Sequence, residues 1–288
     1  MTYLTKEDWN NFLLPKLCDD KSFSELLKEN IKIQNSFIRL INNIINLEKN
    51  SGKKLFQRIL ISSMIYYYKY ILFNNISHSD LSSLDKLVLY CSSIFLSFKE
   101  SNKLIHINIL SSKFQPFFIK YKVFEIEEIR DLIIKKEFDI LMSIEFNMAI
   151  DSPYGLLNYI KLYLTKLQKG NETIFRTINY INLNLNDSIL FPLCLYYTPK
   201  EIFFGCILSA KKEYNLDFIN INDLIQLNKC QIENDNINKC ALYISKIKKI
   251  KNELIEKNLN NKKDNIKNTE NNDNINIKNI SLIKNNIN

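Results

Sequence analysis

Residues Leu84–Lys99 read LDKLVLYCSSIFLSFK, a run that is apolar nearly all round once Lys86 is passed. Cys91, Ser92, Ser93 and Ser97 are its only small members. A helix hydrophobic on every side belongs at the centre of a bundle, and small residues on it let other helices come close. The run ends at Lys99, in line with Val88, Ser92 and Phe95 at helical spacing. A cation at that end complements the negative pole of the helix dipole, and its ammonium can reach water along the alkyl stem. The alternative is that Lys99 faces a partner.

Segment 125–145 bears on that choice. Ile133, Ile140 and Ile144 share one helical stripe, and Glu137 stands inside it. A carboxylate on an apolar stripe is costly unless something pairs with it. Either Glu137 is a solvated rim position, or the face is apolar because another protein covers it, with Glu137 and Lys99 supplying the directional bonds.

The same period of three to four runs through segments near 30–48, 54–73, 82–99, 104–113 and 125–145, as expected of helices facing a core. Two breaks carry chemistry for starting a helix. Asp151-Ser152-Pro153-Tyr154 offers a side-chain acceptor ahead of a proline whose missing N–H does no harm in a first turn. Thr198-Pro199-Lys200-Glu201 is a capping box with proline at the first helical position. Beyond Pro153 the pattern starts again, near 154–168, 173–189, 199–214, 219–228 and 232–257, the last with Ile237, Cys240, Ile244, Ile247 and Leu254 on one stripe. The expectation is an all-α protein of two tandem repeats of about five helices each, at 30–150 and 151–258. A single irregular bundle is the alternative. Flanking N- and C-terminal helices are expected as well, the first in an N-terminal helical segment, 1–29, that holds Trp9, Phe12, Leu13 and, after Pro15, Leu17. From 259 to 288 the Asn- and Lys-rich composition offers too little apolar surface to order a backbone, so a disordered tail is expected there.

Composition narrows the function. The 288 residues are 46% hydrophobic, with only 4 glycines and 5 prolines, although glycine-cradled phosphate sites and turn-rich all-β folds lean on both. The six cysteines, at 18, 91, 194, 206, 230 and 240, form no C-x-x-C pair, and His78 and His106 are the only histidines. No metal site and no cofactor are expected, and reduced thiols in an intracellular protein are the better reading. Arg58 and Lys69 interrupt the best approach to a membrane span of roughly 20 apolar residues, so no membrane partner is expected. A formal charge of +8 raises nucleic acid as a partner, but the lysines are spread along the chain and thick in its tail, and direct binding is not expected. With no glycine-rich loop and no catalytic setting for either histidine, no catalytic residue is assigned.

Taken together, FLSFK at 95–99 and EFDILMSIEFNMAIDSPYGLL at 137–157 resemble the cyclin box. That family's central helix ends in a lysine, and its fifth helix carries a glutamate nine residues before an aromatic, the spacing of Glu137 and Phe146. The Tyr66-Tyr67-Tyr68-Lys69-Tyr70 run is similar to the aromatic part of the family's second helix, and the resemblance extends to about residue 257. Within the family the likeness is greatest to the cyclin H branch, through LCLYYTPKEIFFGCILSAKKEYNLD and the final ISKIKKIKNELIEKN. Three departures stand out: Ser101 and Asn102 replace a usual acidic pair, Lys69 replaces a usual arginine, and NSFIRLINNIINL holds no counterpart of the substrate-recruiting patch of cell-cycle cyclins.

The resemblance implies a regulatory, non-catalytic subunit, two cyclin-box repeats, and a surface of Lys99, Glu137, Leu141 and Phe146 that binds a cyclin-dependent protein kinase. It further implies the CDK-activating kinase and TFIIH, a RING-finger assembly subunit, roles in transcription and the cell cycle, and a nuclear location. Another transcription cyclin of the C, K or T kind, or a cyclin-fold general transcription factor bridging DNA and polymerase, are the alternatives.

Overall fold

A computed structural model describes residues 20–45, 50–103, 105–191, 193–227 and 232–256. Trp9, Phe12, Leu13, Leu17, Cys18, Cys230 and the 259–288 tail lie outside the described residues. Every regular element among those described is helical. They are α1 (Asp20–Asn42), α2 (Asn50–Phe73), α3 (Ser83–Glu100), α4 (Ile107–Phe118), α5 (Ile126–Ser143), α6 (Leu157–Lys166), α7 (Asn171–Ser188), α8 (Pro199–Tyr214), α9 (Ile221–Leu227) and α10 (234–256). None of these helices is long and apolar enough to cross a membrane. The chain divides into two compact units, one ending at Ile244 and the other beginning at Ser245. The first holds every site described below.

Helix α3 is the centre that its composition implies: Leu87 through Phe98 are all buried, and it packs against α1, α2, α4 and α5. Two of its serines are where helices meet. Ser92 Oγ reaches the Ile133 carbonyl of α5 at 2.9 Å, and Ser97 Oγ lies 3.0 Å from Ser63 Oγ of α2. Buried hydroxyls cost free energy unless partnered, and each of these has a second bond to its own helix, at Val88 O and Ser93 O.

Helix α1 starts ten residues earlier than its periodicity suggests. Lys28, Glu29 and Asn30 break the apolar pattern on paper, but Phe23, Leu27, Ile33, Phe37 and Leu40 are buried, and Asn30 is buried among them. Phe23 meets Phe191, its ring 5.5 Å away, a contact from the far side of the sequence that no local pattern contains. Helix α4 is also displaced. It begins at Ile107 after His106, whose Nδ1 accepts the Asn108 N–H, and it runs through Pro116 to Phe118. Proline in a helix interior removes one hydrogen bond, but burial of Phe114 and Phe118 holds the last turns in place.

Both sequence-derived caps form. Ser152 accepts the Tyr154 N–H and Pro153 opens a 3-10 turn that leads into α6. Thr198 Oγ1 accepts the Glu201 N–H while Glu201 Oε2 accepts the Thr198 N–H at 2.7 Å. Ile237, Cys240 and Ile244 of the α10 stripe are buried as expected. Cys91, Cys206 and Cys240 are buried free thiols, and Cys194 is a half-buried one.

An aromatic cluster of Phe37, Tyr67, Tyr90 and His78 ties α1, α2 and α3 to the turn between α2 and α3. His78 Nδ1 lies 2.6 Å from the Tyr67 hydroxyl. Burial, and then the nearby Lys86 ammonium, lower the His78 pKa from 6.5 to about 4. As pH falls through about 6.5 the unfolded chain binds this proton first, so stability that is complete above that value drains away toward about pH 4. Thermal midpoints measured between these limits should fall with acid, and His78→Gln should flatten the part of the slope that this group contributes.

Candidate kinase-binding surface

Lys99 and Glu137 sit 38 residues apart in sequence and form one ion pair, Nζ to Oε1 at 2.7 Å. Their environments differ. Glu137 is buried, its side chain 7% exposed, whereas that of Lys99 is 40% exposed. The Lys99 ammonium also stands 4.2 Å above the centre of the Phe95 ring, one turn back on α3, which adds a cation–π attraction. Glu137 thus occupies an apolar stripe because Lys99 neutralises it, and Lys99 keeps donor capacity turned to solvent.

The same backbone device ends both helices at this point. At the end of α3 the Asn102 N–H bonds to Lys99 O and the Lys103 N–H to Phe98 O, with Asn102 at φ 55°. At the end of α5 the Glu145 N–H bonds to Met142 O and the Phe146 N–H to Leu141 O at 2.8 Å, with Glu145 at φ 51°. Each is a Schellman motif, which closes a helix through a left-handed residue and satisfies carbonyls that would otherwise be orphaned. Asparagine tolerates that conformation better than most residues. Ser101 Oγ bonds to Phe98 O in the same turn, so the two departures from the family pattern at Ser101 and Asn102 act as a helix terminus. The third charged residue of this corner, Glu100, turns instead to Arg58 of α2 at 2.9 Å.

Leu141 and Phe146 therefore occupy the two ends of one hydrogen-bonded turn. Leu141 is half-buried against the core, while Phe146, itself at φ 57°, is 57% exposed. A non-glycine residue with this φ is uncommon and costs about 1–3 kcal/mol. Phe146 meets the ring of Phe138 edge-on, centroids 6.2 Å apart.

All four sequence-derived residues thus converge on one corner of α3 and α5. Three more belong with them. Ile134, Phe138 and Met142 recur every fourth residue on α5 and all are exposed, Phe138 and Met142 by more than half. The signal was in the sequence: this stripe lies beside the Ile133–Ile140–Ile144 stripe, so α5 is apolar on two faces while a surface helix needs only one. Clustered exposed aromatics mark interaction sites more often than scattered ones do. Of the other departures, Lys69 is half-buried, and burial lowers its ammonium pKa against the fields of Cys194 and Asp151. Phe37, Leu40 and Ile41 of NSFIRLINNIINL are consumed by the core.

The architecture is the all-α cyclin fold. Among solved structures, the chain is similar to a chain of the yeast TFIIK (Kin28/Ccl1/Tfb3) complex at a TM-score of 0.55 and 17% identity, covering 86% of this chain and 96% of that one. It is also similar to a chain of the Chaetomium thermophilum CAK complex bound to ATP-γ-S, at a TM-score of 0.53 and 11% identity, covering 79% of this chain and 64% of that one. No family model matches the sequence, and no curated protein matches it.

Proposed function

We propose that this chain is a cyclin-type regulatory subunit that binds and activates a cyclin-dependent protein kinase, its first repeat at 30–150 and its second at 151–258. The observation that carries the reading is the Lys99–Glu137 pair beside an uncovered stripe of Ile134, Phe138, Met142 and Phe146. An ion pair with donor capacity to spare, framed by apolar side chains, suits a partner that offers backbone carbonyls and an apolar ridge.

The chain performs no chemistry itself. A protein kinase needs its C-helix glutamate paired with the lysine that grips the ATP phosphates, and an ordered activation loop. A subunit that binds only the inward-swung C helix shifts the kinase to that state by its difference in affinity for the two states. In this reading Lys99 and Glu137 hold the loop leading into that helix, and Phe138, Leu141, Met142 and Phe146 pack beside it.

The likeness to chains of complexes named TFIIK and CAK supports the CDK-activating kinase and TFIIH as the setting, with a RING-finger assembly subunit as a third component. A nuclear location and roles in transcription and the cell cycle follow from that setting. The test is reconstitution of the full chain with purified cyclin-dependent kinases. An equimolar complex on gel filtration with kinase activity raised well above that of the kinase alone is the expected result. Failure to bind or activate any kinase of a panel that includes the CDK-activating and transcriptional kinases would overturn the assignment.

A further inference from the structure

The exposed stripe of α5 is longer than the part beside Lys99, and its two ends carry opposite charge. Phe124, just before the first turn, Glu127, Asp131, Ile134, Phe138 and Met142 follow one another at steps of three or four residues, and all six are exposed. That spacing places them on one face of the helix. The start of the face is fixed, since Val123 is buried and Gln115 of α4 donates to the Phe124 carbonyl at 2.6 Å. Its apolar members are Phe124 at one end, Ile134 in the middle, and Phe138 and Met142 toward the other end.

Glu127 and Asp131 lie toward the N-terminal end of this face, whereas Lys135 and Lys99, both exposed, lie further along it. Asp131 and Lys135 are spaced to pair along their own helix, but Asp131 turns to Arg130 at 2.9 Å, and Lys135 makes no ion pair among the described residues. Acids first, cations later and apolar side chains between them make the face complementary to its own copy turned end for end.

We infer that this face docks a second copy of the chain, α5 against α5 and antiparallel, about a two-fold axis midway between Asp131 and Lys135. Each contact in such an interface occurs twice, because residue i meets residue j and j meets i. About that axis the Asp131 of one copy lies level with the Lys135 of the other, and Phe124 lies level with Met142. Ile134 sits beside the axis, close to its own counterpart. Glu127 comes level with Lys99, which Glu137 holds beside α5. A parallel arrangement fails, because it sets Asp131 on Asp131 and Lys135 on Lys135, and like charges across a contact are costly. Other covers fit less well. Carboxylates on the face repel a nucleic-acid backbone or an anionic lipid surface, whereas an apolar patch edged by charges of both signs suits a protein. Because the same face is offered to the kinase in the proposed function, a dimer would keep the chain from its kinase until displaced. That consequence rests on kinase binding as proposed above, whereas the dimer is a property of the chain alone.

The test is sedimentation velocity of the full chain, without kinase, over a range of micromolar concentrations. A dimer that grows with concentration is expected. Phe138→Lys should leave a monomer. Asp131→Lys and Lys135→Asp should each weaken association about tenfold or more, because each sets like charges face to face. The doubly exchanged Asp131→Lys/Lys135→Asp chain should associate as the original does. All three positions are exposed, so the variants should melt as the unaltered chain does. The inference is overturned if the chain stays monomeric up to its solubility limit, if Phe138→Lys associates undiminished, if the double exchange recovers nothing, or if the species formed is larger than a dimer. The mixture holds no kinase, so kinase binding stands or falls separately.

Discussion

Alanine at both Lys99 and Glu137 should leave the helical fold standing and abolish kinase activation. Truncating one partner of a hydrogen-bonded charge pair at an interface costs about 2–5 kcal/mol, or roughly thirty- to five-thousand-fold in affinity. The single variants should separate stability from binding, because the two groups are buried to different degrees. Lys99→Ala strands a buried carboxylate, and the free chain should lose about 1–3 kcal/mol of stability. Glu137→Leu replaces that carboxylate by an apolar group of similar size on an apolar stripe and leaves behind a lysine that is 40% exposed and can be solvated, so the fold should lose little, while one of the directional bonds is deleted. A chain that melts as well as the original and fails to bind kinase is therefore the expected phenotype of Glu137→Leu. Full activation of purified kinase by the Lys99→Ala/Glu137→Ala chain would defeat the proposal.

Gly205→Val should be among the most damaging single substitutions in the second half of the chain. A Cβ at Gly205 would lie 2.5 Å from the Cys240 Cβ and 3.1 Å from the Ala241 nitrogen. Part of that obstacle is backbone, which cannot rotate away as a long side chain could. Overpacking of this kind costs about 1–3 kcal/mol and sometimes more, and here it outweighs the few tenths of a kcal/mol, roughly, that valine gains over glycine in a helix. Urea unfolding should show a lower midpoint at unchanged slope. Gly155→Ala is the control, because nothing lies within 4 Å of its added methyl, and its midpoint should stay close to that of the original chain.

The residues of the Lys99–Glu137 corner are more legible in the sequence than a glance at their chemistry suggests. Glu137 was conspicuous because a carboxylate on an apolar stripe needs a partner, and Lys99 was conspicuous because it ends an otherwise unbroken apolar helix. The structure joins the two at 2.7 Å. Leu141 and Phe146 come only with the resemblance to the cyclin box, and the structure joins them through the turn that ends α5, whose Phe146 N–H bonds back to Leu141 O. Phe138 and Met142 are not distinguished by the sequence, because an apolar residue beside an apolar stripe reads as core until its exposure is known. The same limit explains α1: its first three turns look too polar to be helix until Phe191 supplies the surface that Phe23 buries.

Local chemistry was sufficient for the helical class, the caps at Ser152 and Thr198, and the central place of α3, because each depends on neighbours within a turn or two of chain. Which charges meet was settled by folding. Lys99 pairs with Glu137 while Glu100, next to it, pairs with Arg58. Coulomb attraction and burial act through space, and helix packing alone sets those distances, so two charges adjacent in the chain go to different helices on the folded molecule.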